Sequence, residues 1–95
     1  RHIRHGKVKN VYSIGDAEAE IIEAQVMSTS PIAGSRIGDL DFPEGVIVGG
    51  ILKNDDMIKP NSDSKIEEGD IVALFVLSKD IPEVERLLQV TIDYF

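Results

Sequence analysis

Apolar and polar positions alternate along this chain with two periods, and the periods divide it into elements. Over residues 7–14 the alternation is loose, and it assigns Val8, Tyr12 and Ile14 to one face of a strand. Over residues 18–27 it is cleaner. Ile22, Ala24 and Val26 face one way and Glu23 and Gln25 the other, as in a strand with one wet face. Gly15-Asp16 between the two predicts a hairpin, because glycine accepts the positive φ of a tight turn.

Ser28-Thr29-Ser30-Pro31 breaks the strand pattern. Ile37 and Leu40, three apart, predict one or two helical turns with Ser35 as N-cap and both apolar side chains inward. Residues 46–52 are nearly all apolar, interrupted by Gly49 and Gly50. Asn54-Asp55-Asp56 signals a second hairpin leading to a short strand at residues 57–59, which Pro60 ends. Residues 71–77 are apolar on both faces, which suits a central strand or a contact between subunits. From Asp80 the period becomes helical. Ile81, Val84, Leu87 and Leu88 form a stripe, Pro82 sits in the first turn, and Asp80 and Glu83 have capping-box spacing. The order β-β-α-β-β-β-α predicts an α+β domain of two layers, a mixed sheet with one short and one C-terminal helix.

Length narrows this to one domain. At 95 residues the chain supports a single modest core, with residues 1–6 read as a linker from a preceding lobe and 7–95 as the domain. It starts at Arg1 and reads as a piece of something longer. The longest apolar run is seven residues, so no segment reads as a transmembrane helix. Absence of cysteine excludes disulfides, thiolate metal sites and cysteine nucleophiles, and fits a cytoplasmic setting. The net charge of −7 disfavours a phosphate-rich partner, and no nucleic acid is expected. The charge is uneven: Arg1, Arg4, Lys7 and Lys9 crowd the first ten residues, and the rest carry six basic against seventeen acidic side chains.

Candidate chemistry is sparse. His2 and His5 have the spacing of two ligands on a helix, but Arg1 and Arg4 repel a cation there, and a solvated basic segment is expected. Asp55-Asp56 and Glu67-Glu68-Gly69-Asp70 offer paired carboxylates for acid–base work or a hard cation; turn chemistry accounts for both. No catalytic or metal site is therefore expected. Gly34-x-x-x-Gly38 matches neither a dinucleotide fingerprint nor a P-loop. Gly49-Gly50 inside a strand means either a bulge or close approach of backbone, or a tightly packed two-fold contact. Arg36, alone between Lys9 and Lys53, either grips an anionic ligand or is simply exposed. With Ile58, Pro60, Asn61, Ser62 and Asp63 it makes the candidate ligand site. The two apolar strands offer more surface than so few elements can cover. A homodimer is expected, with Val46, Val48, Gly49, Gly50 and Ile51 as its contact.

These residues resemble a known family. Ala19-Glu20-Ile21-Ile22-Glu23, Ser30-Pro31-Ile32-Ala33-Gly34, Ile37-x-x-Leu40, Gly45-Val46-Ile47-Val48-Gly49-Gly50-Ile51, Ile58-x-Pro60 and Ile66-Glu67-x-Gly69-Asp70-Ile71-Val72 occur in order. With Ile81-Pro82-Glu83-Val84-Glu85-Arg86-Leu87-Leu88 they are similar to the TrkA-C (RCK-C) domains of regulatory subunits of bacterial Trk-type potassium uptake systems. The resemblance spans about residues 7–90. It implies a non-catalytic regulatory and dimerisation domain of a cytosolic subunit, peripheral to the inner membrane through a potassium channel or transporter partner. It also implies that NAD or ATP binds a Rossmann-type lobe absent from this sequence, so no cofactor is expected here. Family C-terminal domains pair and hold small ligands. In some relatives that ligand is a cyclic dinucleotide, held by an arginine and an asparagine around the segment that here is residues 41–46. Pro43 and Val46 stand there instead, in a shorter loop, which argues against that ligand. The alternative reading is a small-ligand sensor of another transporter or channel.

Overall fold

The computed structural model describes residues 7–90. The expected linker at residues 1–6, with His2 and His5, lies outside the described residues. Seven strands and one α-helix follow in order. They are β1 (Lys7–Ile14), β2 (Ala19–Gln25), β3 (Ser35–Arg36), β4 (Val46–Lys53), β5 (Asp56–Ile58), β6 (Lys65–Ile66), β7 (Ile71–Leu77) and α1 (Ile81–Leu88). Short 3-10 turns at Ile37–Asp39 and Ser78–Asp80 precede β4 and α1.

Five strands form one sheet in the order β1-β2-β7-β4-β5, and β3 and β6 form a separate two-stranded ladder. The expected α+β architecture is present. The sheet expected to be mixed is built from antiparallel pairs. β7 is the middle strand, as its two apolar faces require. One sheet face is covered by α1 and by the β3–β6 region. There Ile22, Ala24, Val72, Leu74, Val76 and Ile51 pack with Ile32, Ile66, Val84 and Leu88 in one core.

The turns follow their residues. Asn54 and Asp55 have φ of 49° and 71°, the left-handed pair a two-residue hairpin needs between β4 and β5. Gly69, at φ 90°, lets the Asp70 N–H reach the Glu67 carbonyl at 3.0 Å and turns the chain into β7. α1 closes with Gln89 in left-handed geometry and the Val90 N–H donating to the Glu85 carbonyl at 3.0 Å, which buries Val90 over the core.

Four expectations are corrected. First, Val8, Tyr12 and Ile14 do not share a face. The β1–β2 register shifts between Val8 and Asn10, and the extra residue reverses the alternation. Val8 enters the core, while Tyr12 and Ile14 lie on the opposite, open face. Second, the short helix is only a 3-10 turn, and Ser35 does not cap it. Ser35 is committed to β3, where it pairs with Ile66. Third, β3 and β6 were not expected; two-residue strands carry no periodicity to detect. Fourth, Asp80 makes no side-chain cap bond to α1. The preceding 3-10 turn runs directly into the helix, so the Ile81 N–H is already bonded to the Ser78 carbonyl, and the Asp80 carboxylate pairs with Lys79 at 3.0 Å. Asp80→Ala should therefore cost only the charge–dipole share, about 0.3–1 kcal/mol, rather than a full cap. A urea titration giving about 2 kcal/mol would contradict this.

Candidate functional site

The expected ligand residues lie in neighbouring segments, and three of them, Pro60, Asn61 and Ser62, line one cavity. The segment after β5 is shaped by its own hydrogen bonds. The Asp63 N–H donates to Asn61 Oδ1 at 2.8 Å, and the Asn61 N–H donates to Ser64 Oγ at 3.0 Å. The Ser62 carbonyl accepts the Gly38 N–H at 2.8 Å, which ties this segment to the first 3-10 turn. Pro60, Asn61 and Ser62 then line an open cavity of about 330 Å³ with Ile37, Phe42 and Val48. The cavity is apolar with one edge of amide, hydroxyl and backbone groups, a composition that suits a small ligand. Arg36 and Asp63 do not line it, and Ile58 is turned toward the core. Arg36 is exposed on β3 opposite Lys65, next in the chain to Ile37, which lines the cavity.

The expected self-pairing residues also divide. Val46 and Ile51 are buried in the chain's own core, and Val48 is half-buried against it while also lining the open cavity. Gly49 is the bulge residue of β4, where the register against β7 shifts between Val48 and Gly50. The structural reading of Gly49 is the one observed. Gly50 faces the open side of the sheet, and Met57 Sδ lies 3.0 Å from where its Cβ would be.

A polar corner was not anticipated as a unit. Lys53 Nζ, at the end of β4, donates to Asp70 Oδ2 and to Glu67 Oε1, the latter at 3.2 Å. Asp70 Oδ2 also accepts the Glu67 N–H at 2.8 Å, so one carboxylate oxygen holds both the turn and the lysine. Partial burial lowers the Lys53 pKa, but the hydrogen bonds and charges of Asp70 and Glu67 outweigh it and hold the ammonium above its usual 10.5. A group whose pKa rises on folding contributes stability that is fully present below the unfolded value and lost as pH climbs through the folded one. The stability gap between wild type and Lys53→Met should thus stay constant from neutral pH to near 10.5 and narrow above it, in urea titrations across pH. A gap that widens above that point would contradict the sign. Beside this corner lies a wide polar cavity of about 610 Å³ lined by Ser28, Asn54, Lys65, Glu67 and Glu68.

Among the described residues no group of three or more His, Asp or Glu side chains is placed to hold a metal ion. Asp55 and Asp56 belong to the hairpin and Glu67 and Asp70 to the turn before β7, as their turn chemistry implies. One buried carboxylate, Glu20, accepts from Ser13 Oγ at 3.4 Å through Oε2 while Oε1 has no partner. No helix of the described residues is long and apolar enough to cross a membrane.

Comparison with known proteins gives a consistent result. Residues 21–89 match the TrkA-C domain family. The chain is 35% identical over 95 residues to the Trk system potassium uptake protein TrkA of Azorhizobium caulinodans, covering 100% of this chain and 21% of that protein. It is 41% identical over 92 residues to the protein of the same name from Haemophilus influenzae, covering 93% of this chain and 20% of that protein. The chain thus spans about a fifth of the length of the curated relatives it matches. Among solved structures, an RCK domain described as being "with cda" superposes with a TM-score of 0.62 at 19% identity, over 72% of this chain and 96% of that one. That likeness establishes the fold.

Proposed function

The chain belongs to the TrkA-C domain family, and from that membership we propose that it is a non-catalytic regulatory and self-pairing domain of a subunit that controls potassium uptake through a membrane channel or transporter. The observation that carries the reading is the match of nearly the whole chain to one segment of Trk potassium uptake proteins. Such a subunit acts in the cytoplasm, against the inner face of the membrane. NAD or ATP binds its other lobes, and this domain relays the resulting movement. That work is mechanical: two global states with a contact that differs between them.

The test removes this segment from the parent protein and measures nucleotide binding and potassium-limited growth together. Retained nucleotide binding with lost control of uptake is the expected result. Normal control without the segment would overturn the reading. The self-pairing part is tested by light scattering of the isolated chain at tens of micromolar, where a dimer is expected and a monomer of 10.4 kDa would contradict it.

A second reading, a small-ligand sensor, is favoured by the cavity that Pro60, Asn61 and Ser62 line with Ile37 and Phe42. A thermal-shift screen of nucleotides and small anions, repeated on Asn61→Ala, separates it. A shift present in wild type and absent in the variant supports it, and no shift in either removes it.

A further inference from the structure

The wide cavity beside the Lys53 corner shares no lining residue with the one that Pro60, Asn61 and Ser62 border. Separate stretches of the chain build it. Ser28 comes from the segment after β2, Gly34 from the turn before β3, Asn54 from the β4–β5 hairpin, and Lys65 from β6. Glu67, Glu68 and Asp70 come from the turn before β7. At about 610 Å³ the cavity has the size of a small-molecule site, but its lining is polar.

Part of that lining is already committed. The Gly34 N–H donates to the Ile66 carbonyl at 2.7 Å and the Gly69 N–H to the Val26 carbonyl at 2.8 Å. Asp70, only 8% exposed, accepts Lys53 Nζ and the Glu67 N–H through Oδ2, and Glu67 Oε1 accepts Lys53 Nζ at 3.2 Å. This wall is fixed before any ligand arrives, which lowers the cost of binding. The rest is uncommitted. The Ser28 hydroxyl, the Asn54 amide, the Lys65 ammonium and the Glu68 carboxylate have no side-chain hydrogen bond or ion pair among the described residues. Lys65 and Glu68 are opposite in charge and three residues apart, yet they line one cavity without pairing with each other.

We propose that this cavity binds a small zwitterion, with its carboxylate on Lys65, its ammonium on Glu68, and Ser28 and Asn54 supplying neutral hydrogen bonds. The charges select that class. Glu67, Glu68 and Asp70 against Lys65 and Lys53 leave the cavity one negative charge, which disfavours a simple anion. A simple cation would satisfy Glu68 and leave Lys65 facing it. A molecule carrying both charges meets both side chains through charge-assisted hydrogen bonds and leaves neither repelled. By touching Lys65, Glu68 and Asn54 together it would tie β6, the turn before β7 and the β4–β5 hairpin to one another. This inference goes beyond the reading above and stands whether or not the chain regulates potassium uptake.

Three probes of one carbon length test it: 4-aminobutyrate, which has both charges, butylamine, which lacks the carboxylate, and butyrate, which lacks the ammonium. The first holds its charges several bonds apart, enough to bridge side chains that do not reach one another. Each is titrated to tens of millimolar against the labelled chain, and amide shifts are followed. 4-Aminobutyrate should give saturable shifts at Ser28, Gly34, Asn54 and residues 65–70, and should bind about tenfold or more tighter than either single-charge probe. Lys65→Met should weaken it to the level of butylamine, and Glu68→Gln to the level of butyrate. Both side chains are exposed, so both variants should fold, which circular dichroism checks; the three-probe comparison on wild type needs no variant. No saturable shift in wild type, or equal affinity for all three probes, would overturn the proposal. So would unchanged discrimination in both variants. Shifts at Ile37, Phe42 and residues 60–62 instead would put the zwitterion in the other cavity and overturn this site.

Discussion

Leu88→Ala should lower the unfolding free energy by about 2–5 kcal/mol, the range for removing a fully buried leucine. Leu88 is 0% exposed and sits where α1 closes over the sheet, in the same cluster as Ile22, Val76 and Val84. Two things make the cost large. The side chain loses its transfer free energy, and the cavity it leaves cannot collapse. The last turn of α1 is held from outside: Ser30 Oγ donates to the Leu87 carbonyl at 2.6 Å, and the Val90 N–H donates to the Glu85 carbonyl. A small domain has little stability to spare, so the variant should melt well below wild type. Urea titration at one fixed protein concentration decides it, since self-association would otherwise shift the midpoint. A loss under about 1 kcal/mol would mean that α1 does not seal this core.

Gly38→Ala should destabilise by about 1–3 kcal/mol, the usual cost of forcing an atom into a packed site. A Cβ there would stand 2.9 Å from the Ser62 carbonyl oxygen and 3.0 Å from Ser62 Cβ. The oxygen is backbone, held at 2.8 Å by the Gly38 N–H itself, so it cannot swing aside. The 60–63 segment would have to move, and with it the cavity edge formed by Pro60, Asn61 and Ser62. Gly49→Ala is the control. Its Cβ would meet only the Ala73 carbonyl oxygen, at 3.6 Å, an ordinary contact. Amide spectra of Gly38→Ala should show shifts concentrated at residues 60–64. Equal stability losses in both variants would show that the close approach at Gly38 is not what matters.

The α+β class, the hairpin at Asn54-Asp55, the central strand at residues 71–77 and the apolar stripe of α1 were legible along the chain. Each rests on local rules: left-handed turn residues, a period of two or of 3.6, and the need of a doubly apolar strand for cover on both sides. Ile81, Val84, Leu87 and Leu88 are buried as that stripe requires. The family resemblance was legible for the same reason, because its motifs are short runs in order, and the comparisons agree over residues 21–89.

Whatever depends on strand register, or on neighbours that no hairpin joins, was not legible. The bulge near Lys9 reverses Tyr12 and Ile14 to the open face, and no alternation in eight residues announces it. Val46 and Ile51 read as contact surface because the strand is apolar on both sides; only the register against β7 turns them inward and leaves Ile47 outside. Lys53, Glu67 and Asp70 meet because β4 and β7 are neighbours although the turn before β7 lies far along the chain. Arg36 and the 60–63 segment read as one site; pairing with Lys65 sets Arg36 on β3 beside that segment, while Ile37 rather than Arg36 lines the cavity with Pro60, Asn61 and Ser62. Sequence by itself determined the elements, the turns and the apolar content, since these follow from steric and solvation preferences of residues within a few positions of one another. Tertiary structure alone decided which side chains lie on the open sheet face and which meet in the polar corner, because side chains from separate strands become neighbours only when register and strand order are set, and a one-residue shift turns every side chain to the other face.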